Sequence, residues 1–440
     1  MSSAKLERYS TYINSGVEWL GQIPSHWRIT RNKDIFVERG SLSQSGSETL
    51  LTVSHITGVT RRSEKTVNMF MAETMQGYKH CRAGDLVINT MWAWMGALGT
   101  AREDGICSPA YGVYAPRKGR PYSHGYFDYL YRTPRAVSEM TRNSKGIVSS
   151  RLRLYPKDFF QILTALPCYE EQAAIAAYLD TRTAQIDRQI DLLGQKATQY
   201  GKLKQSLIAE AITRGLDKSV PIKDSGVEWV GEMPAHWEVK RVKEVGSVVL
   251  GKMLDNVKSE NTLLRSYLKS KNIGWLKVEG ADIEKMYFSA ADMKSYRLKK
   301  GDILLSEGGE VGKTAFWNDE IEECYIQNSV HKITVHKKNC ARFFLYQSFL
   351  LGSIKYYDSI VSHVSIKHLT KEKLSRVSWV RPPLVEQVAI AAYLDDKTAQ
   401  IDRIHAAIGS QIDKLKDLRK ALINDVVTGR IKVVSEGKAA

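Results

Sequence analysis

Residues 307–314, with the sequence EGGEVGKT, come closest to a known phosphate-binding pattern. A phosphate loop of the form G-x-x-x-x-G-K-[ST] wraps phosphates with its backbone N–H groups, so its first position requires glycine. Here Glu307 occupies that position, and Gly308 stands one residue too late. We therefore interpret the segment as a flexible loop that carries Lys313 towards a phosphodiester backbone, with an ATP site as the alternative.

The histidines and the remaining motifs predict neither catalysis nor a metal site. His331 and His336, like His363 and His368, are five residues apart, a spacing that does not place two ligands on one helix face. The N/D-P-P-F/Y motif of amino-methyltransferases, a glycine-rich cofactor turn and a G-x-S-x-G nucleophile elbow are all missing from the sequence. We expect no catalytic residue in this chain.

Cysteine usage and hydropathy indicate a cytoplasmic protein. The five cysteines are widely spaced and form no C-x-x-C pair, which fits a reducing compartment and argues against a zinc site or a disulfide framework. The first residues, MSSAKLERYS, have no apolar core of a signal peptide, and no apolar run approaches 18 residues. We expect no membrane span.

Two segments combine small hydroxyl side chains with basic ones, as contacts to DNA require. One extends from Lys145 to Arg153 and the other from Ser362 to His368. Each alternates polar and apolar residues, which predicts an extended strand with its polar side chains on one face. Such side chains can contact phosphates and base edges.

Further candidates lie on loops that follow predicted strands. Gln327 and Asn328 could offer amides to adenine, and two tryptophans flank a loop that we expect to be exposed. The alternative for each residue is ordinary: a tryptophan in the core, or a basic side chain that touches only phosphate or solvent. The candidate DNA-binding residues are Trp92, Trp94, Lys145, Ser149, Ser150, Arg151, Arg153, Lys313, Gln327, Asn328, Ser362, His363, Ser365, Lys367 and His368.

Positive charge is concentrated outside two neutral segments. The chain has 64 Lys and Arg against 48 Asp and Glu, a net charge of +16. Residues 169–215 contain six basic and six acidic side chains, and residues 385–430 contain seven of each. The whole excess therefore lies on the rest of the chain, which favours a neutral scaffold with polyanion-binding domains over a generally basic surface.

Two sequence segments occur twice. Residues 15–27 (SGVEWLGQIPSHW) return at 225–237 with nine of thirteen positions identical, offset by 210. Residues 171–187 (EQAAIAAYLDTRTAQID) return at 386–402 with fourteen of seventeen identical, offset by 215. A long period that is present only twice indicates duplication of a whole module and predicts pseudo-two-fold symmetry.

Each neutral segment carries an apolar stripe at alternating spacings of three and four, which predicts a long helix packed against another helix. Lys204 interrupts the first stripe, and Arg419, 215 residues later, interrupts the second. Gly215 and Gly429 are the predicted C-caps. Residues expected to face a helix or a protein partner are Ile186, Ile190, Leu193, Tyr200, Leu207, Ile401, Ile408, Leu415 and Leu422.

The natural arrangement is an antiparallel pair of helices, because a large domain separates them along the chain. The alternative is two separate helical hairpins, with Gly194 and Gly409 as breaks. The segments between the helices should be compact α+β domains. Predicted strands begin at Leu86, Tyr111, Ile303 and Val330.

The chain resembles the DNA-specificity subunits of type I restriction–modification systems. The resemblance covers nearly the full length and rests most specifically on the SGVEWxGxxPxHW and EQxAIAAYLDxxTAQID segments. The regions around Gly84-Asp85 and Gly301-Asp302, the Gln327-Asn328-Ser329 run and the SPAYGVY run from Ser108 are similar to the target-recognition domains of that family.

This resemblance implies an α+β fold in which two α/β target-recognition domains are separated by two long antiparallel helices, a coiled-coil spacer, with pseudo-two-fold symmetry. The implied divisions are a first target-recognition domain (1–168), a central repeat helix (169–215), a second target-recognition domain (216–384), a C-terminal repeat helix (385–432) and a tail (433–440).

The implied function is non-catalytic: each domain reads one half of a bipartite, asymmetric site in double-stranded DNA. Two modification subunits, which use S-adenosylmethionine, would dock on the repeats, and restriction subunits would use ATP and Mg²⁺. The chain itself would hold no cofactor. The alternatives are a structural coiled-coil adaptor and a P-loop nucleotide-binding protein.

Overall fold

The computed structural model describes residues 7–65, 74–148, 151–280, 282–361 and 368–433. The chain forms two compact units. Unit 1 comprises Met1–Leu193 and Ser410–Ala440, and unit 2 comprises Gly194–Gly409. Both unit boundaries fall inside long helices, so each unit contains one mixed domain and a part of both helices.

The unit 1 domain contains short strands, and the sheets that they form are antiparallel. Its strands are β1 (Tyr12–Asn14), β2 (Gln22–Pro24), β3 (Arg28–Arg31), β4 (Phe36–Glu38), β5 (Leu51–Ser54), β6 (Gly58–Arg61), β7 (Lys79–Cys81), β8 (Leu86–Asn89), β9 (Leu98–Thr100), β10 (Gly105–Cys107), β11 (Tyr111–Pro116) and β12 (Leu163–Leu166). Its short helices are α1 (Asn32–Ile35), α2 (His124–Tyr131), α3 (Pro134–Arg142) and α4 (Pro156–Phe159). The first long helix is α5 (Tyr169–Arg214).

The unit 2 domain repeats this plan with longer strands. Its strands are β13 (Ile222–Asp224), β14 (Glu232–Pro234), β15 (Glu238–Arg241), β16 (Gly246–Leu250), β17 (Thr262–Leu268), β18 (Glu284–Ser289), β19 (Ile303–Ser306), β20 (Thr314–Phe316), β21 (Cys324–Ile326), β22 (Val330–Val335) and β23 (Ser378–Arg381). Its short helices are α6 (Val242–Val245), α7 (Ala290–Tyr296), α8 (Ala341–Ser353), α9 (Tyr356–Ile360) and α10 (Lys371–Arg376). The second long helix is α11 (Leu384–Val427).

A four-stranded antiparallel sheet forms the centre of each domain, in the order β4-β11-β8-β9 in unit 1 and β16-β22-β19-β20 in unit 2. The strands predicted from Leu86, Tyr111, Ile303 and Val330 are its two middle strands in each unit, so these four predictions are confirmed. Unit 2 adds a second sheet, β18-β17-β21, in which β17 and β21 run parallel.

In each central sheet, both faces of one middle strand are buried, which explains the uninterrupted apolar runs Leu86–Ile88 of β8 and Ile303–Leu305 of β19. Leu86 and Ile88 belong to one core cluster, whereas Val87 belongs to another. In unit 2, Ile303 and Leu304 are divided between two clusters in the same way. Successive side chains of a strand point to opposite faces, so both clusters pack on one sheet.

The two long helices are confirmed, with 46 residues in α5 and 44 in α11. Gly215 and Gly429 follow their ends with φ of +72° and +74°, the left-handed conformation of a helix C-cap. Gly194 and Gly409 lie inside continuous helix. The alternative of two hairpins broken at these glycines is therefore wrong, because one glycine weakens a long helix without interrupting its hydrogen bonds. Among the described residues, no helix is long and apolar enough to cross a membrane.

The predicted apolar stripe is the less exposed face of both helices. Lys204 and Arg419, which interrupt it, form ion pairs inside their units. Lys204 Nζ lies 2.7 Å from Asp402 in unit 2, and Arg419 Nε lies 3.0 Å from Asp187 in unit 1. The predicted positions that are buried or half-buried are Ile186, Ile190, Leu193, Tyr200, Leu207, Ile401, Ile408, Leu415 and Leu422.

The two repeated sequences contact each other at the start of each long helix. His26 Nε2 lies 3.0 Å from a carboxylate oxygen of Glu171 in unit 1, and His236 Nε2 lies 2.7 Å from Glu386 in unit 2. The next residue, glutamine in both copies, is buried and fixes the helix start to its domain. This shared network explains why these segments repeat so closely.

The same segments also receive the end of a long helix. In unit 1, Val426 and Val427 at the end of α11 share a core cluster with Trp27, and Tyr126 Oη donates to the Val427 carbonyl at 3.2 Å. In unit 2, Ile208 and neighbouring residues at the end of α5 share a cluster with Trp237. Each domain thus holds the start of one long helix and the end of the other.

Candidate nucleic-acid interface

In unit 2, backbone hydrogen bonds collect three candidate segments at the end of β19. Glu307 follows this strand directly. Its N–H donates to the Ser329 carbonyl at 2.9 Å, and its carbonyl accepts from the Leu369 N–H at 3.0 Å. The glycine-rich loop, the Gln327-Asn328-Ser329 run and His368 are therefore neighbours, although the sequence separates them by up to 61 residues.

Unit 1 makes a similar pair of hydrogen bonds at the end of β8, one through the backbone and one through a side chain. The carbonyl of Thr90 accepts from the Leu154 N–H at 3.0 Å, and Thr90 Oγ1 donates to the Ala110 carbonyl at 2.8 Å. Thr90 thus corresponds to Glu307, and Arg153, directly before Leu154, corresponds to His368. The same backbone framework presents different side chains in the two domains.

The glycine-rich loop is not a phosphate-binding P-loop. It connects β19 to β20, two antiparallel strands, whereas a P-loop leads from a strand into a helix whose N-terminus faces the phosphates. Lys313 forms an ion pair with Glu310. The structure therefore contradicts the P-loop alternative, while a contact between Lys313 and a phosphodiester remains a prediction.

Glu307 and His368 form a pair that the sequence does not signal. The Glu307 side chain is 10% exposed, and its two carboxylate oxygens lie 2.9 and 2.8 Å from His368 Nδ1. His368 is 51% exposed. Sequence reasoning identified Glu307 only as a mismatch to the P-loop pattern, because nothing in the sequence pairs residues so far apart.

The two ends of the segment from Lys145 to Arg153 pair with each other, so its described residues do not form the predicted extended strand. Lys145 and Arg153 exchange backbone hydrogen bonds of 2.9 Å in both directions, and Arg151 N–H donates to the Val148 carbonyl at 2.8 Å. The polar–apolar alternation does not produce a strand because the backbone partners lie within the segment itself. Lys145, Arg151 and Arg153 are exposed, and Ile147 beside them is fully exposed.

The other described candidates differ in accessibility. Trp92 is 51% exposed, whereas Trp94 is half-buried and donates from Nε1 to the Met91 carbonyl at 3.0 Å. Gln327 and Asn328 are half-buried and hydrogen-bond to each other. The remaining candidates lie outside the described residues: Ser149, Ser150, Ser362, His363, Ser365 and Lys367.

The histidine of β22 is a structural residue. His331 is buried, and its Nε2 lies 2.5 Å from the Leu369 carbonyl, so Nε2 donates. Burial lowers the pKa of His331, which keeps the ring neutral. Within the described ranges, no group of three or more His, Cys, Asp or Glu side chains could hold a metal ion.

The Gly-Asp turns tie each central sheet to its surroundings. Asp85 is buried and accepts from Arg39 at 2.6 and 2.9 Å. Asp302 is buried and accepts from Thr334 Oγ1 at 2.5 Å and from the Lys299 N–H at 2.8 Å. Burial raises the pKa of Asp302, and these hydrogen bonds oppose the shift. Their role is to hold the framework.

Comparison with known proteins gives a family model and curated relatives. Residues 234–414 match the family model described as the type I restriction modification DNA specificity domain. The MjaVIII specificity subunit of Methanocaldococcus jannaschii is 27% identical over 294 residues, 63% of this chain and 64% of the relative. The EcoBI specificity subunit of Escherichia coli is 29% identical over 145 residues, 33% of this chain and 30% of the relative. The chain thus spans less than two thirds of the length of these relatives.

Two solved structures share the fold. A chain from a structure that describes complex assembly and conformational transition of the type I R-M system has a TM-score of 0.70 at 17% identity. The HsdS subunit from Thermoanaerobacter tengcongensis has a TM-score of 0.54 at 18% identity. Each alignment covers 92% of this chain and 98% of the other. By sequence, residues 234–414 are thus similar to the type I restriction modification DNA specificity domain, and by fold the chain is similar to these two solved structures.

Proposed function

We propose that this chain is the sequence-specific DNA-binding subunit of a type I restriction–modification complex and has no catalytic role of its own. The domain of unit 1 reads one half of a bipartite, asymmetric site in double-stranded DNA, and the domain of unit 2 reads the other half. The net charge of +16, all of it outside the neutral helical segments, supports phosphate neutralisation as a major part of binding.

The main support for this proposal is that the two domains share a backbone arrangement at one strand end but carry different side chains there. Both domains place a strand end next to a basic position through an equivalent backbone hydrogen bond, from the Leu154 N–H to Thr90 in unit 1 and from the Leu369 N–H to Glu307 in unit 2. The framework carries Thr90 and Arg153 in unit 1 but Glu307 and His368 in unit 2. Base readout depends on side-chain donors and acceptors, so two domains of this kind suit two different half-sites.

We further propose that α5 and α11 pair as an antiparallel coiled coil that sets the distance between the half-sites. The two ion pairs support this register, since the residue numbers sum to 606 in both (204 + 402 and 187 + 419). In an antiparallel pair of helices, the residue numbers of facing residues have a constant sum. In a parallel pair their difference is constant, but the differences here are 198 (402 − 204) and 232 (419 − 187).

The repeated segments are the proposed docking sites for two modification subunits, because a partner present twice requires similar surfaces. S-adenosylmethionine would then belong to the modification subunits, and ATP and Mg²⁺ to restriction subunits. The close repetition of the helix starts and of the segments that hold them supports two similar sites.

A domain exchange tests this proposal. The chain is co-expressed with its modification subunit in a host without DNA methylation, and the methylated positions are read across the genome. A bipartite motif with methylated adenine is expected. Replacing residues 28–168 with another target-recognition domain should change one half of the motif. A soluble, assembled complex that methylates nothing, or an exchange that alters both halves, contradicts the proposal.

A further inference from the structure

We infer that His368 reads a base edge in the half-site of unit 2 and that Glu307 is the positioning residue that orients its ring. This inference rests on the proposed DNA-binding function and adds the chemistry of one contact. An ionised carboxylate can only accept hydrogen bonds, so the close contacts of both Glu307 oxygens with Nδ1 place a proton on that nitrogen. Nε2, the other ring nitrogen, remains available on a side chain that is 51% exposed.

Burial of the carboxylate makes the orientation rigid. Glu307 is nearly enclosed, and its backbone is fixed on both sides by Ser329 and Leu369. A ring held at Nδ1 by such a group loses much of its rotational freedom before DNA arrives, which lowers the entropic cost of a directional hydrogen bond. The half-buried amides of Gln327 and Asn328, in the turn between β21 and β22, are fixed by their mutual hydrogen bond.

The charge of the pair favours a base over a phosphate. When the imidazole is protonated, the Glu307 carboxylate offsets its charge, so the pair brings no net positive charge to DNA. A phosphate contact gains most of its free energy from counterion release and needs an uncompensated cation. Arg153, at the equivalent place in unit 1, is exposed and has no carboxylate partner among the described residues that would offset its charge.

Three single variants separate these roles in the complex of the chain with its modification subunit. His368→Ala should relax one base pair of the unit 2 half-site, with about tenfold lost discrimination there, and should leave the salt dependence of DNA affinity unchanged. Glu307→Ala should relax the same base pair, because the ring loses its orientation. Glu307→Gln retains an oxygen that accepts from Nδ1 and should restore most of the discrimination.

Arg153→Ala and Thr90→Ala are the matched controls in unit 1. Arg153→Ala should lower the slope of log affinity against log salt by about 0.9 for a phosphate contact. Thr90→Ala should leave the unit 2 half-site unchanged. The double variant Glu307→Ala/His368→Ala should lose no more base-pair discrimination than His368→Ala alone, since both changes remove the same interaction.

The outcomes distinguish this inference from the broader proposal. The motif and the equilibrium affinity for DNAs with single base-pair changes are measured for each complex, with thermal unfolding as a check of folding. A wild-type complex with a bipartite motif, together with a folded His368→Ala variant of unchanged specificity, overturns the inference and leaves the proposed function intact. A uniform loss of affinity for all sequences, with a smaller salt slope, assigns His368 to phosphate and also overturns it. A wild-type complex without sequence preference contradicts the proposed function itself.

Discussion

Lys204 of α5 donates from Nζ to both carboxylate oxygens of Asp402 in α11, at 2.7 and 3.0 Å. The lysine occupies the apolar stripe of its helix, at the position where Arg419 interrupts the other stripe and pairs with Asp187. The basic residue that interrupts each apolar stripe therefore forms an ion pair with an aspartate of the other long helix, and this ion pair occurs twice. An ion pair within an apolar seam can fix the register of two helices even where it adds little stability.

Exchanging the charges of this pair tests that role. Lys204→Glu should lower stability by about 0.5–1 kcal/mol, because it places two acidic side chains together at a partly exposed site. The double variant Lys204→Glu/Asp402→Lys should recover most of the loss. Thermal unfolding measures the coupling, and Arg419→Glu/Asp187→Arg is the matched pair in unit 1. Additive effects of the two single changes would contradict a direct interaction.

Glycines inside and after the long helices should respond oppositely to alanine. Gly409 is helical, and a methyl group there meets no atom within 4 Å, so Gly409→Ala should stabilise by about 1 kcal/mol. Gly429 has a φ of +74°, and a methyl group would overlap the ring of Pro24. Gly429→Ala should therefore destabilise by more than about 1 kcal/mol.

The control for Gly429 is Gly215, which has a similar φ of +72°. A methyl group added at Gly215 would lie 3.1 Å from the Trp237 ring, which is a looser contact than that with Pro24 at Gly429. Gly215→Ala should cost less than Gly429→Ala. Chemical denaturation of the intact chain gives the order, and an equal cost at both positions would show that conformation alone sets it.

The buried glutamine at each helix start should contribute strongly to stability. In unit 1, Gln172 accepts from the Ser123 N–H at 2.9 Å and donates to the Pro167 carbonyl at 2.9 Å. Gln172→Ala leaves both backbone groups without this partner and should lower the free energy of unfolding by about 2 kcal/mol. Gln387→Ala should have the same effect in unit 2, where Gln387 accepts from the Cys340 N–H at 2.8 Å. Gln185→Ala, on an exposed helix face, should change the melting temperature little.

The cysteines should differ widely in reactivity. Burial raises the pKa of Cys107 and of Cys324 to about 12, and that of Cys81 still further. These thiols stay protonated at pH 8, and the thiolate is the reactive form. Cys168 is exposed and should be alkylated first. Mass spectrometry after brief iodoacetamide treatment measures the order, and early labelling of Cys107 in folded protein would contradict the burial.

Replacement of Lys313 distinguishes a contact to DNA from a nucleotide-binding site. Lys313→Ala should weaken binding to all DNA sequences alike and lower the salt slope by about 0.9, as expected for one phosphate contact. Since the loop leads into a strand, Mg-ATP should bind neither form of the chain. Calorimetric titration with Mg-ATP and salt-dependent DNA titrations test both expectations. Saturable nucleotide binding that depends on Lys313 would restore the P-loop alternative.

The sequence alone determined the features that depend on local pattern and on repetition. The apolar stripes predicted both long helices, the glycines that follow them predicted the caps, and short strand signals predicted the two middle strands of each central sheet. These signals are readable because helix periodicity and strand burial act over neighbouring residues. The duplication further predicted that Lys204 and Arg419 are equivalent, although not that each has an aspartate partner.

Only the tertiary structure decided which distant residues meet. The pairing of Glu307 with His368, the correspondence of Thr90 with Glu307 and the pairing of Lys145 with Arg153 all depend on backbone hydrogen bonds. In the first two cases, these bonds connect segments far apart along the chain. A local pattern does not encode such contacts, because the free energy that fixes them comes from packing of the whole domain. For the same reason, the sequence marks Glu307 only as a mismatch to a phosphate loop, whereas the structure shows its buried carboxylate in contact with His368.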